Sequence, residues 1–345
     1  MQTKQIELKN YTTMRVGGSA RLVEPKTIIE LKEVLSELKK SEQSFYILGS
    51  GSNTIASDSF NGLVVKPNLT GFNIFSDGRV TASSSEDWDE VVVQCSRNGL
   101  SGIETLAGIP GTAGAAPVQN IGAYGQELAD VIVSVAVLDT ENIERGEFEI
   151  EKQNCDFSYR NSLFKKNPGR YAITKITMQL KPTQYEPTNF LQPPFYKSLQ
   201  KYLDENNITN HSPSSITNSV AEVRKTRLPD PKVIANSGSF FKNTILSYQV
   251  FERLKSNFPD VPNWRMHYRP IPDDCIKIST GWLLEQAGLK GYKSEYFGTY
   301  ENNALVIINH NNGNYKQLKE FRDEINKKIM QKFDFGLEQE PVELI

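Results

Sequence analysis

The apolar residues of segment 27–40 repeat at helical spacing and predict an amphipathic helix. The expected buried face consists of Ile28, Leu31, Leu35 and Leu38. Thr27, followed three residues later by Glu30, has the pattern of a capping box. An N-cap of this type stabilises a helix start by roughly 1 kcal/mol.

Two further segments have helical patterns. Segment 316–333 predicts a long amphipathic helix with a buried face of Leu318, Phe321, Ile325 and Ile329. Segment 214–227 is predicted to be helical and to end at the sequence LPDPK. A short polar tail, GLEQEPVELI, closes the chain.

Strands are predicted where β-branched and other apolar residues cluster between turn signals. Segments 131–139, 170–180 and 304–310 have this composition. Segment 44–55, SFYILGSGSNTI, reads as a short apolar strand that runs into a glycine turn. Helices and strands together therefore predict an α+β protein.

The composition of the chain changes at 182–196, where PTQYEPTNFLQPPFY concentrates prolines and aromatic residues. Such a stretch forms neither a regular helix nor a central strand. It is interpreted as a boundary and a long ordered loop, and a plain linker is the alternative.

Composition and charge narrow the classes of partner. The chain has 345 residues, which as a prior corresponds to two or three domains. Its 38% hydrophobic and 23% charged residues are typical of a soluble globular protein. A net charge of −2 argues against nucleic acid or an anionic membrane surface as the main partner.

Cysteine usage indicates the compartment. Cys95, Cys155 and Cys275 lie far apart without a CxxC pair, which excludes a disulfide framework and a cysteine zinc site. The N-terminus has no apolar run typical of a signal peptide, and the apolar run at 131–138 is too short to span a bilayer. We therefore expect a cytoplasmic protein without a membrane segment.

Two glycine-rich segments have the character of ligand loops. LGSGSNT (48–54) offers successive backbone N–H groups of the kind that bind phosphate, and a simple turn is the alternative. GIPGTAGAAPVQNIGAYG (108–125) contains no charged residue. Its backbone suits close approach to a flat or extended ligand, and a tight packing corner is the alternative. Together the two segments favour a dinucleotide.

Several motifs in order carry a specific resemblance. LGSGSNT, LAGIPGTAGAAPVQNIGAYGQEL, DFSYRNSLFK, RLPDPK with NSGSFFKN, and GWLLEQAGLKG together resemble the UDP-N-acetylenolpyruvoylglucosamine reductase family. The resemblance covers nearly the whole chain. It implies a two-lobed FAD-binding domain of the vanillyl-alcohol-oxidase (PCMH) type over 1–182, with lobes of about 1–68 and 69–182. A substrate-binding α+β domain follows over 183–345, and its tail, 334–345, is expected to return to the active site.

The resemblance also implies a reaction. NADPH reduces a bound FAD, and hydride then passes to the enolpyruvyl group of UDP-N-acetylglucosamine enolpyruvate, giving UDP-N-acetylmuramate for peptidoglycan synthesis. The protein is expected to be a monomer. A flavin oxidase that shares only the FAD domain, and a nucleotide-sugar or flavin-binding module without turnover, are the alternatives.

Three catalytic residues follow from the matched motifs. Hydride addition places negative charge on the enolpyruvyl carboxylate side, so the site needs a fixed cation, an acidic group and a proton donor. By resemblance Arg160 in SYRNS is the cation, Ser239 in GSFFKN the proton donor and Glu340 in LEQEPV the catalytic glutamate. Glu338 is the rival if the register slips by two residues.

Ligand contacts are also carried over residue by residue. For FAD they are Gly49, Ser50, Gly51, Ser52, Asn53, Gly114, Gln119, Asn120, Ile121, Gly122 and Tyr124. For the nucleotide sugar they are Tyr159, Tyr196, Arg224, Arg227, Asn243, Trp264, Lys290 and Asn303.

Some of these positions depart from the family pattern. Trp264 replaces a phosphate-contacting tyrosine, and Tyr268 is a second candidate for that role. Ala115 and Ala116 stand where some relatives have serines, so any contact there comes from the main chain.

Other features of the binding sites follow from charge and from the histidine positions. Arg224 and Arg227 are three residues apart on a helix, which suits a pyrophosphate, and a solvated basic face is the alternative. Tyr196 lies where the longer, first type of the family has a lid tyrosine. His211, His267 and His310 all lie outside the first half, so FAD is expected to be non-covalent and no metal site is expected.

Overall fold

The computed structural model describes residues 2–184, 191–265 and 274–345. By packing, the chain forms two compact units. The first comprises Met1–Ile6, Ala20–Ser50 and Asn61–Lys225, and the second comprises Glu7–Ser19, Gly51–Phe60 and Thr226–Ile345. The predicted domain boundary between residues 182 and 183 and the predicted lobe boundaries stay predictions, because packing units are not functional domains.

The first unit contains two larger sheets. One has five antiparallel strands in the order Phe148–Glu151, Ile132–Asp139, Tyr171–Gln179, Arg79–Ser83 and Phe72–Ile74. The other has four strands in the order Lys4–Glu7, Ser19–Val23, Ser59–Val65 and Phe45–Ile47, of which the last two are parallel. Two short pairs join Leu100–Ser101 to Lys181–Pro182 and Gly122–Ala123 to Gln126–Glu127. The helices are Ile28–Lys40, Trp88–Arg97, Leu163–Lys166, Lys197–Glu205 and Pro213–Arg227.

The second unit is built from short sheets and α-helices. One sheet has the order Ala235–Ser239, Asn303–Asn309 and Phe297–Tyr300, and another has the order Thr244–Ser247, Cys275–Ile278 and Asn263–Arg265. Val342–Leu344 pairs in parallel with Thr54–Ala56. The helices are Tyr248–Asn257, Thr280–Gln286 and Tyr315–Phe333. This mixture of helices and mainly antiparallel strands confirms the predicted α+β class.

The predicted elements form where the apolar patterns placed them. Strands cover Ile132–Asp139, Tyr171–Gln179 and Asn303–Asn309, and helices cover Pro213–Arg227 and Tyr315–Phe333. All four apolar residues predicted for the face of the last helix are buried: Leu318, Phe321, Ile325 and Ile329. Periodicity was informative here because each element packs one face on a core.

The first predicted helix is correct in extent but not in every detail. Thr27 caps it, with its hydroxyl accepting from the Glu30 N–H at 3.1 Å. The Glu30 carboxylate accepts from the Lys26 N–H at 2.6 Å, whereas a capping box requires the N–H of Thr27. Ile28 was predicted to be buried, and that prediction was wrong, since 39% of its surface is exposed. It lies in the first turn, and the buried face begins at Leu31.

Each unit has its own apolar core. Trp88, Val135 and Ile176 are almost fully buried in the first unit. In the second unit Phe240 and Phe241, the two phenylalanines of GSFFKN, are 0% and 1% exposed. Burial of these rings anchors the backbone that follows Ser239.

An ion pair between a buried aspartate and a half-buried arginine fixes the end of a central strand in the first unit. Asp139 is 6% exposed and accepts two hydrogen bonds from the Arg170 guanidinium, at 3.3 and 3.2 Å, and one from the Glu141 N–H at 3.0 Å. Burial by itself would raise the pKa of Asp139, but the bonds from Arg170 and Glu141 outweigh it and leave the pKa lowered.

We predict that Asp139→Asn destabilises the protein by about 1–3 kcal/mol at neutral pH, because it removes a charge-assisted buried contact. A lowered folded-state pKa stabilises the protein above the unfolded-state value, which is about 4. This stabilisation disappears as the pH falls through the folded-state pKa. Urea unfolding followed by circular dichroism should therefore show a gap between wild type and variant that closes below about pH 4. A gap that is constant across this pH range would contradict the assignment.

Candidate active site and flavin-binding loops

The loop LGSGSNT follows strand Phe45–Ile47 and turns sharply at Gly51, whose φ is 73°. A side chain at Gly51 would collide with the Tyr11 carbonyl oxygen, so the close backbone packing requires glycine. The Gly51 carbonyl accepts from the Thr13 N–H at 3.1 Å. The segment consists of uncharged residues with backbone N–H groups and hydroxyls, a composition that fits a diphosphate.

The uncharged stretch 108–125 begins with a helical turn in the first unit. The Thr112 carbonyl accepts from the N–H groups of Ala115 and Ala116 at 2.9 and 3.1 Å. Ala116 is 2% exposed and lies in the core, so a ligand contact at this position would come from the main chain. A Cβ on Gly49 would lie 3.1 Å from the Thr112 hydroxyl oxygen, which shows that the two glycine-rich loops approach closely.

Gly114, predicted to contact FAD, has a packing reason for being glycine. Its N–H donates to the Ser84 carbonyl at 2.9 Å. A Cβ there would lie 2.5 Å from the Ser84 Cβ and 3.0 Å from the Ser84 carbonyl oxygen. The packing-corner alternative therefore applies at this glycine, and a role in FAD binding stays a prediction.

Asn120 connects the QNIGAYG segment to the turn that carries Arg160. It is fully buried with φ of 46°. Its amide nitrogen donates to the Glu127 carboxylate at 2.7 Å and to the Ser158 carbonyl at 3.3 Å, and its amide oxygen accepts from the Ala129 N–H at 2.9 Å. The Asn120 side chain is thus a structural link. Its neighbours Gln119 and Ile121 are half-buried and buried, respectively.

Arg160 occupies a two-residue turn closed by reciprocal hydrogen bonds between Ser158 and Asn161, both 3.1 Å. Its φ of 52° is unusual for a residue with a side chain. The guanidinium donates to the Gly122 carbonyl at 2.7 Å and lies 5.3 Å from the centre of the Tyr159 ring. The predicted cation, Tyr159 and the predicted flavin loop therefore meet in the first unit.

Arg224 adds a second cation to this region. It is half-buried, and its Nε donates to the Gly108 carbonyl at 3.1 Å. Burial lowers the pKa of Arg224, the nearby charge of Arg160 acts in the same direction, and Tyr124 and Asp89 act against it. A guanidinium remains charged at neutral pH in spite of such a shift. Two cations in one desolvated region favour binding of an anion.

Tyr196 belongs to the same cluster. It precedes helix Lys197–Glu205 and packs edge-on against Tyr124, with ring centroids 5.5 Å apart. It remains 45% exposed. Residues 185–190 of the predicted proline-rich loop lie outside the described residues.

Arg227 follows Arg224 by three residues on the helix Pro213–Arg227, of which it is the last residue, and it is exposed. Arg224 is bonded to the Gly108 carbonyl. The predicted joint contact of the two arginines with a pyrophosphate stays a prediction.

In the second unit, Ser239 ends the strand Ala235–Ser239 and pairs with Val306 after a bulge. The bulge contains Gly238 with φ of 70°, where an added Cβ would meet open space. Asn236 stabilises it, since its amide oxygen accepts from the Gly238 N–H at 2.9 Å. A bulge of this kind re-aims the side chain that follows it.

The C-terminal tail folds back along the GSFFKN backbone. The Lys242 N–H donates to the Glu338 carbonyl and the Glu340 N–H donates to the Phe240 carbonyl, both at 2.9 Å. Glu340 is half-buried and hydrogen-bonded to the residue next to Ser239. Glu338, the rival glutamate, is exposed and forms an ion pair with Lys242.

The other predicted substrate residues of the second unit have structural partners. The Asn243 amide oxygen accepts from the Thr280 N–H at 3.2 Å, at the start of helix Thr280–Gln286. Lys290 pairs with Glu285 at 3.0 Å, and the Asn303 amide oxygen accepts from the Leu305 N–H at 3.1 Å. Their roles in binding stay predictions.

Trp264 is 39% exposed on strand Asn263–Arg265. Lys277 lies directly across from it on the neighbouring strand, with its ammonium 5.8 Å from the indole centre. Sequence reasoning missed Lys277. The available signal was the alternation of Lys277 with the apolar residues Ile276 and Ile278, which are buried and so place Lys277 on the opposite face of the strand. Tyr268 lies outside the described residues.

Residues 2–184, 191–265 and 274–345 contain no group of three or more potential ligands that could hold a metal ion. No helix in these ranges is long and apolar enough to cross a membrane.

The chain matches two family models. Residues 19–142 match an FAD-binding domain, and residues 230–344 match the C-terminal domain of UDP-N-acetylenolpyruvoylglucosamine reductase. The reductases of that name from Pseudomonas syringae pv. tomato and Pseudomonas aeruginosa are each 34% identical to the chain. The alignments cover 97% of the chain in both cases, and 97% and 96% of the relatives.

The crystal structure of UDP-N-acetylenolpyruvylglucosamine reductase from Thermus caldophilus shares the fold. It aligns over 100% of both chains with a TM-score of 0.67 at 22% identity. These findings confirm the predicted fold class and FAD as the cofactor.

We predict that Gly114→Ala lowers both stability and flavin content. The added methyl group collides with Ser84 and displaces the turn at 112–116, at a cost of about 1–3 kcal/mol. Flavin absorbance per protein and the thermal unfolding midpoint measure the two effects. Gly281→Ala is the matched control, because neither glycine lies in the left-handed φ region and a Cβ on Gly281 would meet only ordinary contacts, at 3.5 Å or more. Full flavin content in the Gly114 variant would show that the turn tolerates displacement.

Proposed function

Because the chain belongs to the UDP-N-acetylenolpyruvoylglucosamine reductase family, we propose that it reduces UDP-N-acetylglucosamine enolpyruvate to UDP-N-acetylmuramate in peptidoglycan synthesis. The observation that carries the proposal is 34% identity over 97% of both this chain and the Pseudomonas syringae enzyme. Bound FAD would supply the hydride-transfer chemistry between NADPH and the enolpyruvyl group, and the segments predicted to hold it are 49–53 and 114–124. The protein residues bind the substrate, stabilise charge and supply the proton.

Arg160 is proposed to bind the enolpyruvyl carboxylate and stabilise the negative charge that hydride addition creates. Its guanidinium is oriented by the bond to the Gly122 carbonyl. A guanidinium can grip a carboxylate through two parallel hydrogen bonds, which lysine cannot do. Asn120 supports this geometry because it holds the turn through the Ser158 carbonyl.

Ser239 is proposed to donate a proton to the α-carbon of the enolpyruvyl group, and Glu340 to polarise the carboxylate. Their backbones are adjacent, since the Glu340 N–H binds the carbonyl of Phe240. The bulge at Gly238 supports the role of Ser239 because it sets the direction of this side chain apart from the regular strand.

Binding of the nucleotide diphosphate is proposed to involve Arg224 and Arg227, with Tyr196 as the lid tyrosine of the first family type. Lys277 is added to this set because it faces Trp264 across two strands. A lysine beside an exposed indole can combine a phosphate contact with stacking. Lys290, by contrast, is paired with Glu285.

We further propose that the enzyme is a cytoplasmic monomer. Cys95 and Cys155 are buried free thiols, and burial raises the pKa of each to about 12. Thiols of this kind are inert in a reducing compartment. Sedimentation of the purified protein tests the oligomeric state.

The two half-reactions separate flavin reduction from substrate reduction. We predict that Ser239→Ala bleaches normally with NADPH under anaerobic conditions. Reoxidation by the enolpyruvyl nucleotide sugar should be about 100- to 10,000-fold slower, because the proton donor is missing. Stopped-flow absorbance of the flavin measures both steps.

Ser237→Ala is the matched control, since Ser237 is a buried serine of the same strand. Wild-type protein whose flavin is not reoxidised by this sugar would refute the proposed substrate. Normal reoxidation by the Ser239 variant would refute only the role of the serine.

Lys277→Met tests the diphosphate contact. We predict an increase of about 10- to 100-fold in KM for the nucleotide sugar, equivalent to a lost charge-assisted hydrogen bond, with a smaller change in kcat. Lys290→Met serves as the comparison, because it removes the same charge from the same unit. A larger KM effect at Lys290 would favour Lys290 over Lys277 as the phosphate contact.

A further inference from the structure

The last residues of the chain are held along their length in the second unit. The Asn326 side chain binds both the N–H and the carbonyl of Leu337, at 2.7 and 3.3 Å. Beyond Glu340, the Val342 N–H donates to the Asn53 carbonyl at 2.9 Å, and Val342–Leu344 pairs with Thr54–Ala56. These hydrogen bonds hold the end of the tail as a strand. Backbone hydrogen bonds alone, however, do not select one register of the tail against its neighbours.

A cluster of side chains on helix Tyr315–Phe333 binds particular side chains of the tail and can therefore distinguish one register from another. One nitrogen of Arg322, Nη1, donates to the Gln339 amide oxygen at 3.1 Å and to the Glu343 carboxylate at 2.8 Å. The Tyr315 hydroxyl donates to the other Glu343 oxygen at 2.7 Å. The side chains of Arg322 and Glu343 are only 21% and 24% exposed, so the pair is poorly screened by solvent.

Spacing explains why these groups act together. Tyr315, Arg322 and Asn326 are separated by seven and four residues and lie on one face of the helix. In an extended tail the side chains alternate, so Leu337 and Gln339 point one way and Glu338 and Glu340 the other. The helix binds the Leu337 backbone through Asn326 and the Gln339 side chain through Arg322.

Because the side chains alternate, their orientation alone does not decide between two registers of the tail. A slip of two residues preserves the facing of every side chain and puts Glu338 in the place of Glu340. It would also take Gln339 and Glu343 away from Arg322, leaving a largely buried guanidinium and carboxylate without each other. Arg322 would keep its contact with the exposed Asp323 carboxylate, but the largely buried Glu343 carboxylate would lose its cation, which disfavours the slipped register.

We propose that Arg322, through Glu343 and Tyr315, is a positioning residue that sets the register of the tail and so makes Glu340, not Glu338, the carboxylate beside Ser239. Arg322 binds the tail and acts through Glu340. The inference rests on the proposed function, because it assigns Glu340 a task in substrate reduction. It adds a residue from a distant helix to the machinery of that reaction.

The test is a double-mutant cycle in the anaerobic half-reactions of the full-length, FAD-loaded protein. Arg322→Met should slow reoxidation by the enolpyruvyl nucleotide sugar about 10- to 100-fold, the effect expected of a misplaced catalytic group. Bleaching by NADPH should stay within about twofold of wild type, because this step does not use Glu340. In the Glu340→Gln background the same substitution should change reoxidation by less than about twofold, since the group that it misplaces is already absent.

Two further variants sharpen the result. Arg322→Lys keeps the charge near Glu343 but not both bonds, and should recover part of the lost rate. Lys327→Gln removes an exposed charge from the same helix and should leave both half-reactions unchanged. If Arg322→Met does not retain FAD, Glu343→Gln weakens the same contact from the tail side. It should then show a smaller loss confined to reoxidation.

The outcomes separate the two hypotheses. A slow Glu340→Gln variant together with a fast Arg322→Met variant would overturn the positioning role and leave the proposed function intact. Equal slowing by Arg322→Met with and without Glu340 would also overturn it, because the arginine would then act independently. A Glu340→Gln variant with wild-type reoxidation would remove the proposed role of the glutamate and with it the positioning role of Arg322, while substrate reduction itself would still be shown.

Discussion

Irregular backbone segments carry the functional side chains of this protein, and their peptide groups need hydrogen-bond partners when they are buried. Asparagine side chains supply several of those partners. Asn120 binds the turn before Arg160, Asn236 binds the bulge before Ser239, and Asn326 binds the tail before Glu340. An amide offers a donor and an acceptor without charge, so it can replace backbone partners inside a core. The positions of the three proposed catalytic residues depend on these bonds.

The same constraint explains where glycine and unusual backbone angles occur. Gly51 and Gly114 lie where another backbone passes too closely for any Cβ. Arg160, in contrast, has φ of 52° although it carries a long side chain. The surrounding bonds hold it in that conformation, and strain of this kind is concentrated at functional sites. The conformation that is costly for folding is the one that brings the guanidinium to the Gly122 carbonyl.

The two units differ in the charged side chains that surround the proposed site residues. In the first unit, Arg160 and Arg224 lie close enough for their charges to interact, and together they create a local positive field. In the second unit, two glutamates of the acidic tail form ion pairs with basic residues. Glu338 pairs with Lys242 and Glu343 with Arg322, while the Tyr315 hydroxyl binds Glu343. Burial and this carboxylate raise the pKa of Tyr315 to about 12, so the hydroxyl remains a donor throughout the physiological range.

The sequence by itself determined the main helices and strands, because apolar periodicity reports which face of an element is buried. Its motifs also determined the family and the identity of the proposed site residues, since a motif keeps its residues in order along the chain. It did not reveal the exposure of Ile28, the packing of Gly114 on Ser84, the pairing of Lys277 with Trp264 or the hydrogen bond from Arg322 to Glu343 of the tail. Each of these except Ile28 joins segments that are distant along the chain, and the exposure of Ile28 depends on where its helix meets the core. Only the tertiary structure decided them, because side-chain contacts and steric limits between such segments exist only once both segments have been placed.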